Sequence, residues 1–220
     1  MNLAPRRMKI DVISDTVCPW CFIGKRRLER ALRERPEINS EVVWHPFQLN
    51  PEMPIGGIDR PTYLRLKFGG SVNAQDVYGN IMNAGASEDL DFNFNAITRM
   101  PNSLLSHRLI YFCKDTPHQD TISENLFRSY FFYGLDIGEI DILVGISEES
   151  GLNTTDVERY LHSDKDSSEI LKQDKSSRDM GISGVPCFII NGEFVVSGAQ
   201  EHKVFLQVFD AATAPTKARI

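Results

Sequence analysis

Strand-forming sequence in this chain is confined to its two ends. Residues 8–15 read as a strand, with β-branched Ile10, Val12 and Ile13 closing on Ser14-Asp15. Pro19 then opens a helix, where its missing N–H has no partner to lose. Leu28, Ala31 and Leu32 give that helix an apolar face, and Pro36 lies beyond its end. Residues 41–49 read as a second strand, placed at an edge or a bulge by Pro46. At the far end, Cys187-Phe-Ile-Ile190 and Phe194-Val-Val196 flank Asn191-Gly192, a strong hairpin turn, and a helix over about 199–212 follows. Between residues 60 and 180 the pattern is successive amphipathic helices with no convincing strand. Neither end can bury its apolar face alone, so the two must meet across the middle as one composite sheet with a helical cap.

The helices are expected at about 60–68, 72–84, 102–115, 119–133, 138–150, 154–162 and 166–180. Thr121-Ile-Ser-Glu124 and Thr155-Asp-Val-Glu158 have the capping-box pattern, and Gly134, Gly151 and Gly181 sit at stops. Residues 50–58 read as a loop, 86–98 as an irregular surface stretch, and the tail from Ala214 as frayed. This divides the chain into a discontinuous α/β domain, 1–58 with 181–220, and an all-helical insertion, 59–180.

Charge and cysteine usage narrow the function. A net charge of −6 makes nucleic acid an unexpected partner, because phosphate binding needs clustered Lys and Arg. The single basic cluster, Lys25-Arg26-Arg27 with Arg30 and Arg33, is interleaved with Glu29 and Glu34 and reads as a solvated helix face. No stretch approaches the ~18 apolar residues of a membrane span. Met1 to Arg7 is basic and lacks the apolar run of a secretory signal, so the expected compartment is the cytoplasm. Of the four cysteines, only Cys18 and Cys21 are close in sequence, which in a reducing compartment points to one reactive pair and two core thiols.

That pair is Cys18-Pro19-Trp20-Cys21, at the carboxyl end of the first strand, where α/β sheets place their chemistry. At the helix start Cys18 meets unpaired backbone N–H groups, which stabilise a thiolate, the form that attacks disulfides. Cys21 lies one turn deeper on the same face and would resolve a mixed disulfide formed at Cys18. Pro19 and Trp20 fix the loop and give an apolar rim for a substrate. Half of a zinc site is the competing reading, but His45, His107, His118, His162 and His202 lack ligand spacing, so no metal is expected.

Taken with the run Ser14 to Leu28, the segments Phe47-Gln48-Leu49-Asn50-Pro51, Pro101-Asn102 with His107-Arg108-Leu109, and Gly184-Val185-Pro186 leading to Val196-Ser197-Gly198-Ala199-Gln200 carry a resemblance. The chain resembles the DsbA-like branch of the thioredoxin fold, and within it the FrnE-like cytoplasmic subgroup. The resemblance implies an α/β thioredoxin-like fold with a large all-helical insertion. It also implies thiol–disulfide oxidoreductase or disulfide isomerase activity, no tightly bound cofactor, and glutathione as a co-substrate. Protein dithiols and disulfides would be the partners, and the state a monomer or a homodimer. Sister families include 2-hydroxychromene-2-carboxylate isomerases and kappa-class glutathione transferases, which gives a second reading: a glutathione-dependent isomerase of a small aromatic or polyketide-like substrate. Those sisters typically carry Ser where Cys18 stands. A third reading is a chaperone-like module with an idle dithiol.

The resemblance further implies a cis bond between Val185 and Pro186 that exposes the Val185 backbone to an extended substrate or glutathione beside Cys18. Thioredoxin-like proteins often hold a buried acid six residues before the nucleophile. Here that position is Val12, which leaves Asp15 as a proton-handling candidate or as a cap. Lys25 could act on a thiol electrostatically, although such stems usually reach solvent. Cys187 is a third thiol near the pair or, more in keeping with free cysteines, a small buried hydrophobe; Cys113 is core. His107 and Asn102 match the family pattern, His107 as a structural or a supporting catalytic residue. Phe127, Tyr130, Phe131, Phe132 and Tyr133 are mostly core, with an excess that could line a groove.

Overall fold

The computed structural model describes residues 7–69 and 71–214. The expected frayed tail beyond Ala214 and the basic start before Arg7 lie outside the described residues. In chain order the elements are β1 (Met8–Ser14), α1 (Pro19–Arg33), β2 (Ser40–Pro46), β3 (Ile58–Asp59), α2 (Arg60–Phe68), α3 (Ser71–Ala86), β4 (Arg99–Met100), α4 (Leu104–Phe112), α5 (His118–Phe131), α6 (Ile140–Glu149), α7 (Thr154–His162), α8 (Ser167–Asp179), β5 (Cys187–Ile190), β6 (Phe194–Ser197) and α9 (His202–Thr213).

The two ends of the chain do meet in one sheet, ordered β2-β1-β5-β6. β1 runs parallel to β2, with Ile10 opposite Val42, and antiparallel to β5, with Val12 opposite Phe188 and Ile13 opposite Cys187. The pleat sends alternate residues to opposite faces. Ile10, Val12, Phe188 and Ile190 enter the main core, where Phe188 meets Phe205 of α9 edge to face at 4.9 Å. Ile13 and Cys187 enter a small cluster on the other face with Phe47. Cys187 is thus buried in an apolar setting, the blander of its two expected roles.

Helix α1 lies between the sheet and the helical block, so its burial extends beyond one stripe. Phe22 stacks on Phe127 at 5.1 Å and contacts Phe131, Phe132 and Phe92. The aromatic helix α5 therefore packs on the active-site helix. Phe127, Tyr130 and Phe131 are buried and, of the five aromatics, only Tyr133 is well exposed, so this set is mostly core.

Several sequence expectations are corrected. The basic stretch of α1 is a solvated face only in its second half, where Arg30, Arg33 and Glu34 are exposed. Lys25 and Arg27 are buried, Lys25 against Glu29, Asp120 and Glu124, and Arg27 against Glu88, Glu201 and the Ala199 carbonyl. Neither capping box caps a helix: α5 already begins at His118, and α7 is capped by Asn153, whose side chain accepts from Asp156 N. Residues 60–180 contain a two-residue strand, β4, paired with β3. The second strand stops at Pro46 rather than 49. Phe47 N still bonds Ser14 O, but Gln48 N and Leu49 N donate to the carboxylates of Asp174 and Asp15 at 2.8 and 2.7 Å. Helix α5 stops where expected: Gly134 has φ +68°, and the Ala96 backbone occupies the space a Cβ would need.

Candidate active site

β1 ends in Ser14, and the turn Asp15-Thr16-Val17 delivers Cys18 to the start of α1. Cys18 is the N-cap residue with an extended backbone, Pro19 follows at the first helical position, and no side chain caps the helix. The Cys18 sulfur is therefore set at the positive end of the helix macrodipole. Cys21 N bonds Cys18 O at 3.0 Å, which places the second thiol one turn further in. Both thiols are free and buried, with Cys18 3% and Cys21 1% exposed. Pro19, Trp20 and Val185 are half-buried around them.

The Val185–Pro186 peptide is cis, as the resemblance implies. The Cys18 thiol donates to the Val185 carbonyl at 3.7 Å. This brings together Cys18, Cys21, Val185 and Pro186 from segments about 165 residues apart in sequence.

The Cys18 and Cys21 sulfurs lie within interaction range of each other. Burial, and then the Cys18 sulfur beside it, push the Cys21 thiol well above its ordinary value; the Ser14 hydroxyl and the Asp15 backbone pull the other way and do not outweigh them. Cys21 thus holds its proton more firmly than an ordinary thiol.

Asp15 is fully buried. Its carboxylate accepts from Leu49 N at 2.7 Å and Val17 N at 3.4 Å, and lies 3.3 Å from His107 Nε2. His107 Nε2 is also 3.2 Å from the Phe47 carbonyl. Thr16 Oγ1 meets Ser106 Oγ at 2.7 Å. The turn that carries Cys18 is therefore clamped to α4 by buried polar pairs, which low dielectric makes strong. Asn102 braces a neighbouring segment. It accepts from Gln48 Nε2 and Leu104 N and donates to the Met53 carbonyl, pinning residues 48–53 to the start of α4. Lys25 is turned into its three carboxylates rather than left free to act on a thiol.

Sequence reasoning missed two neighbours of the site. One is Ser14, whose place at the end of an apolar strand is its only signal. The other is Tyr63 of α2, which no pattern marks. The Tyr63 side chain lies beside Asn50 and within electrostatic range of Asp15 and Cys18; burial above all pushes this phenol up. Tyr63 also borders a groove of about 510 Å³ lined by Asn50, Pro51, Met53, Pro54, Ile58 and Leu66, among others. Among the described residues no group of three or more His, Cys, Asp or Glu side chains is placed to hold a metal ion. Nor is any described helix long and apolar enough to cross a membrane.

Comparison with known proteins agrees with this geometry. The family model for the DSBA-like thioredoxin domain matches residues 9–210. The uncharacterized protein YwbO of Bacillus subtilis (strain 168) is 28% identical over 198 residues, covering 89% of this chain and 92% of that protein. The crystal structure of a probable DsbA oxidoreductase from Streptomyces coelicolor superposes with a TM-score of 0.83 at 28% identity, covering 96% of this chain and 93% of that one. The cytosolic disulfide reductase DsbM from Pseudomonas aeruginosa, solved with GSH, has a TM-score of 0.64 at 15% identity, covering 91% and 98%.

Proposed function

Since this chain belongs to the DSBA-like thioredoxin domain family, we propose that it catalyses thiol–disulfide exchange, with Cys18 as nucleophile and Cys21 as resolving thiol. The observation that carries this reading is the pair itself. Cys18 stands at the N-cap of α1 against the Val185 carbonyl, and Cys21 lies one turn deeper, its thiol held well above the ordinary value chiefly by burial. In the reducing direction the Cys18 thiolate attacks one sulfur of the substrate disulfide. That S–S bond breaks and one substrate thiolate leaves. Cys21 then loses its proton and attacks the Cys18 sulfur, which releases the second substrate thiolate. The substrate gains two electrons and the protein ends as the Cys18–Cys21 disulfide; the oxidising direction is the reverse.

Pro19, Trp20, Val185 and Pro186 form the substrate-facing rim in this reading, and the Val185 carbonyl is the backbone group an extended polypeptide or glutathione would meet. Four free, buried cysteines fit a reducing compartment, so the proposed location is the cytoplasm, with glutathione as a co-substrate and protein disulfides as partners.

A second reading draws on the groove beside Tyr63, whose size suits a small aromatic substrate: a glutathione-dependent isomerase. Insulin reduction by dithiothreitol separates the two. The exchange reading expects the protein to accelerate precipitation of the insulin B chain, and Cys18→Ser to abolish the effect. A native protein that gives no acceleration overturns it in favour of the isomerase.

A further inference from the structure

Resolution by Cys21 needs a base, because the thiol that must attack is the one the fold keeps protonated. The usual carboxylate position, six residues before the nucleophile, is Val12, whose side chain is apolar and buried. The base must come from elsewhere. The Ser14 hydroxyl lies within interaction range of the Cys21 sulfur. Ser14 and His107 also wall a cavity of about 10 Å³ together with Trp44, His45, Pro46, Ile110 and Tyr111. That volume is about one water molecule. The two groups nearest His107 Nε2 are both acceptors, the Phe47 carbonyl and the Asp15 carboxylate. They fix the proton of the neutral ring on Nε2 and leave Nδ1 with the lone pair.

We propose that the His107–Asp15 pair takes the proton of Cys21 when Cys21 attacks the mixed disulfide, with Ser14 and one water in the adjoining cavity carrying it between them. This rests on the thiol–disulfide reading. The step balances: the Cys21 S–H bond breaks and its electron pair forms the bond to the Cys18 sulfur. The bond from Cys18 to the substrate sulfur breaks and that sulfur leaves as a thiolate. The proton ends on His107 Nδ1, and the imidazolium is stabilised by Asp15 at Nε2. His107 and Asp15 act through Ser14 and are positioning residues. The other titratable or charged groups around the ring are His45 of β2 and Tyr111 of α4 on the cavity, Tyr63 of α2 beyond Asp15, and Asp174 with Arg178 of α8. The last two are paired to each other and closed on the Gln48 backbone.

The test is stopped-flow reaction of the reduced protein with 5,5′-dithiobis(2-nitrobenzoate). Attack by Cys18 releases the first equivalent of nitrothiobenzoate, and resolution by Cys21 releases the second; Cys21→Ser assigns the phases by giving only the first. His107→Gln is expected to keep the first phase and slow the second about 100-fold near neutral pH. Its second phase should accelerate only in alkaline solution, unlike that of the native protein. Asp15→Asn should slow the same phase and shift its profile. Ser14→Ala leaves the buried pair in place and is expected to slow the second phase about tenfold, which keeps the test open if His107→Gln does not fold. A second phase with unchanged rate and pH profile in the folded variants overturns the relay, and so does equal slowing of both phases. Absence of a first phase in the native protein instead overturns the thiol–disulfide reading on which the relay rests.

Discussion

Gly24 lies one turn beyond Cys21, where α1 passes closest to the strand that follows the cis peptide. A Cβ at this position would lie 2.9 Å from Pro186 Cγ and 3.0 Å from Phe188 Cζ. Neither neighbour is the free end of a flexible chain, so the strand must move. Gly24→Ala is therefore expected to cost about 1–3 kcal/mol, the usual range for overpacking a dense core. It should also loosen the contact of Cys18 with the Val185 carbonyl and speed alkylation of Cys18 by iodoacetamide. Urea unfolding and alkylation kinetics on the variant check both parts, and native behaviour in both would show that Pro186 does not bear on α1. At this scale Cys18 and Cys21 are legible because their chemistry is written in spacing alone. Asp15 is legible only as a question, since its partners Leu49 and His107 lie 34 and 92 residues away and no local pattern announces them. Lys25 is misread from sequence for the same reason: on its own helix it sees Glu29, but its burial is set by Asp120 and Glu124 of α5.

Those charges form a clasp between elements. Lys25 reaches Asp120 at 3.1 Å and Glu124 at 3.3 Å, Arg26 is paired with Glu124 through both carboxylate oxygens, and Trp44 Nε1 donates to Asp120 at 3.0 Å. The clasp joins α1, α5 and β2 directly behind the dithiol helix. Burial opposes ionisation of Glu124, yet Arg26 and Lys25 outweigh it and hold the carboxyl below its ordinary 4.5. A lowered carboxylate stabilises the fold above that ordinary value, and the contribution is lost as pH falls through the lowered one. Burial likewise opposes the charge on Lys25, and Asp120, Glu29 and Glu124 overcome it, so the ammonium is held above 10.5 and its contribution is lost as pH rises from 10.5 through that raised value. Lys25→Met removes the buried cation and leaves Asp120 without its ion-pair partner, with Arg26 alone holding Glu124 and Glu29. The expected cost is about 3 kcal/mol at pH 7, the scale for breaking a buried pair by deleting one partner. It should shrink when Glu124 is also changed to Gln. A urea midpoint unchanged in Lys25→Met would mean that the clasp carries no stability. Element ends are less legible than element identities. Thr121 and Thr155 satisfy a capping rule that tertiary packing overrides, since the chain before each has already turned helical. The truncation of β2 at Pro46 depends on two carboxylates from distant elements, and no strand pattern carries that information.

The gross plan of the molecule follows from a physical necessity: two β-bearing ends separated by a helical block must share one sheet to bury their apolar faces. The sheet order β2-β1-β5-β6 is that solution, and it leaves the fold dependent on a core in which several ionisable groups are sealed in their neutral form. Burial pushes the Cys113 thiol from 9.0 to about 11 and also raises Cys187, Cys21, Tyr130 and Tyr160. For Tyr130 and Tyr160, as for the thiols, burial is the largest cause. The sign is the same for each. Below the ordinary thiol value folded and unfolded chains hold the same protons and stability does not change with pH. Above it the unfolded chain releases protons that the folded chain keeps, so stability falls as pH rises through the raised values. The whole protein should therefore unfold at lower urea at pH 10 than at pH 8. Cys113→Ala separates this cause from general alkaline damage. The variant bears its cavity cost equally at both pH values, so its drop between pH 8 and pH 10 should be smaller than that of the native protein by the Cys113 share. Equal drops in the two proteins would mean that Cys113 meets water in the folded state and that α4 is not sealed against α5 as the packing requires.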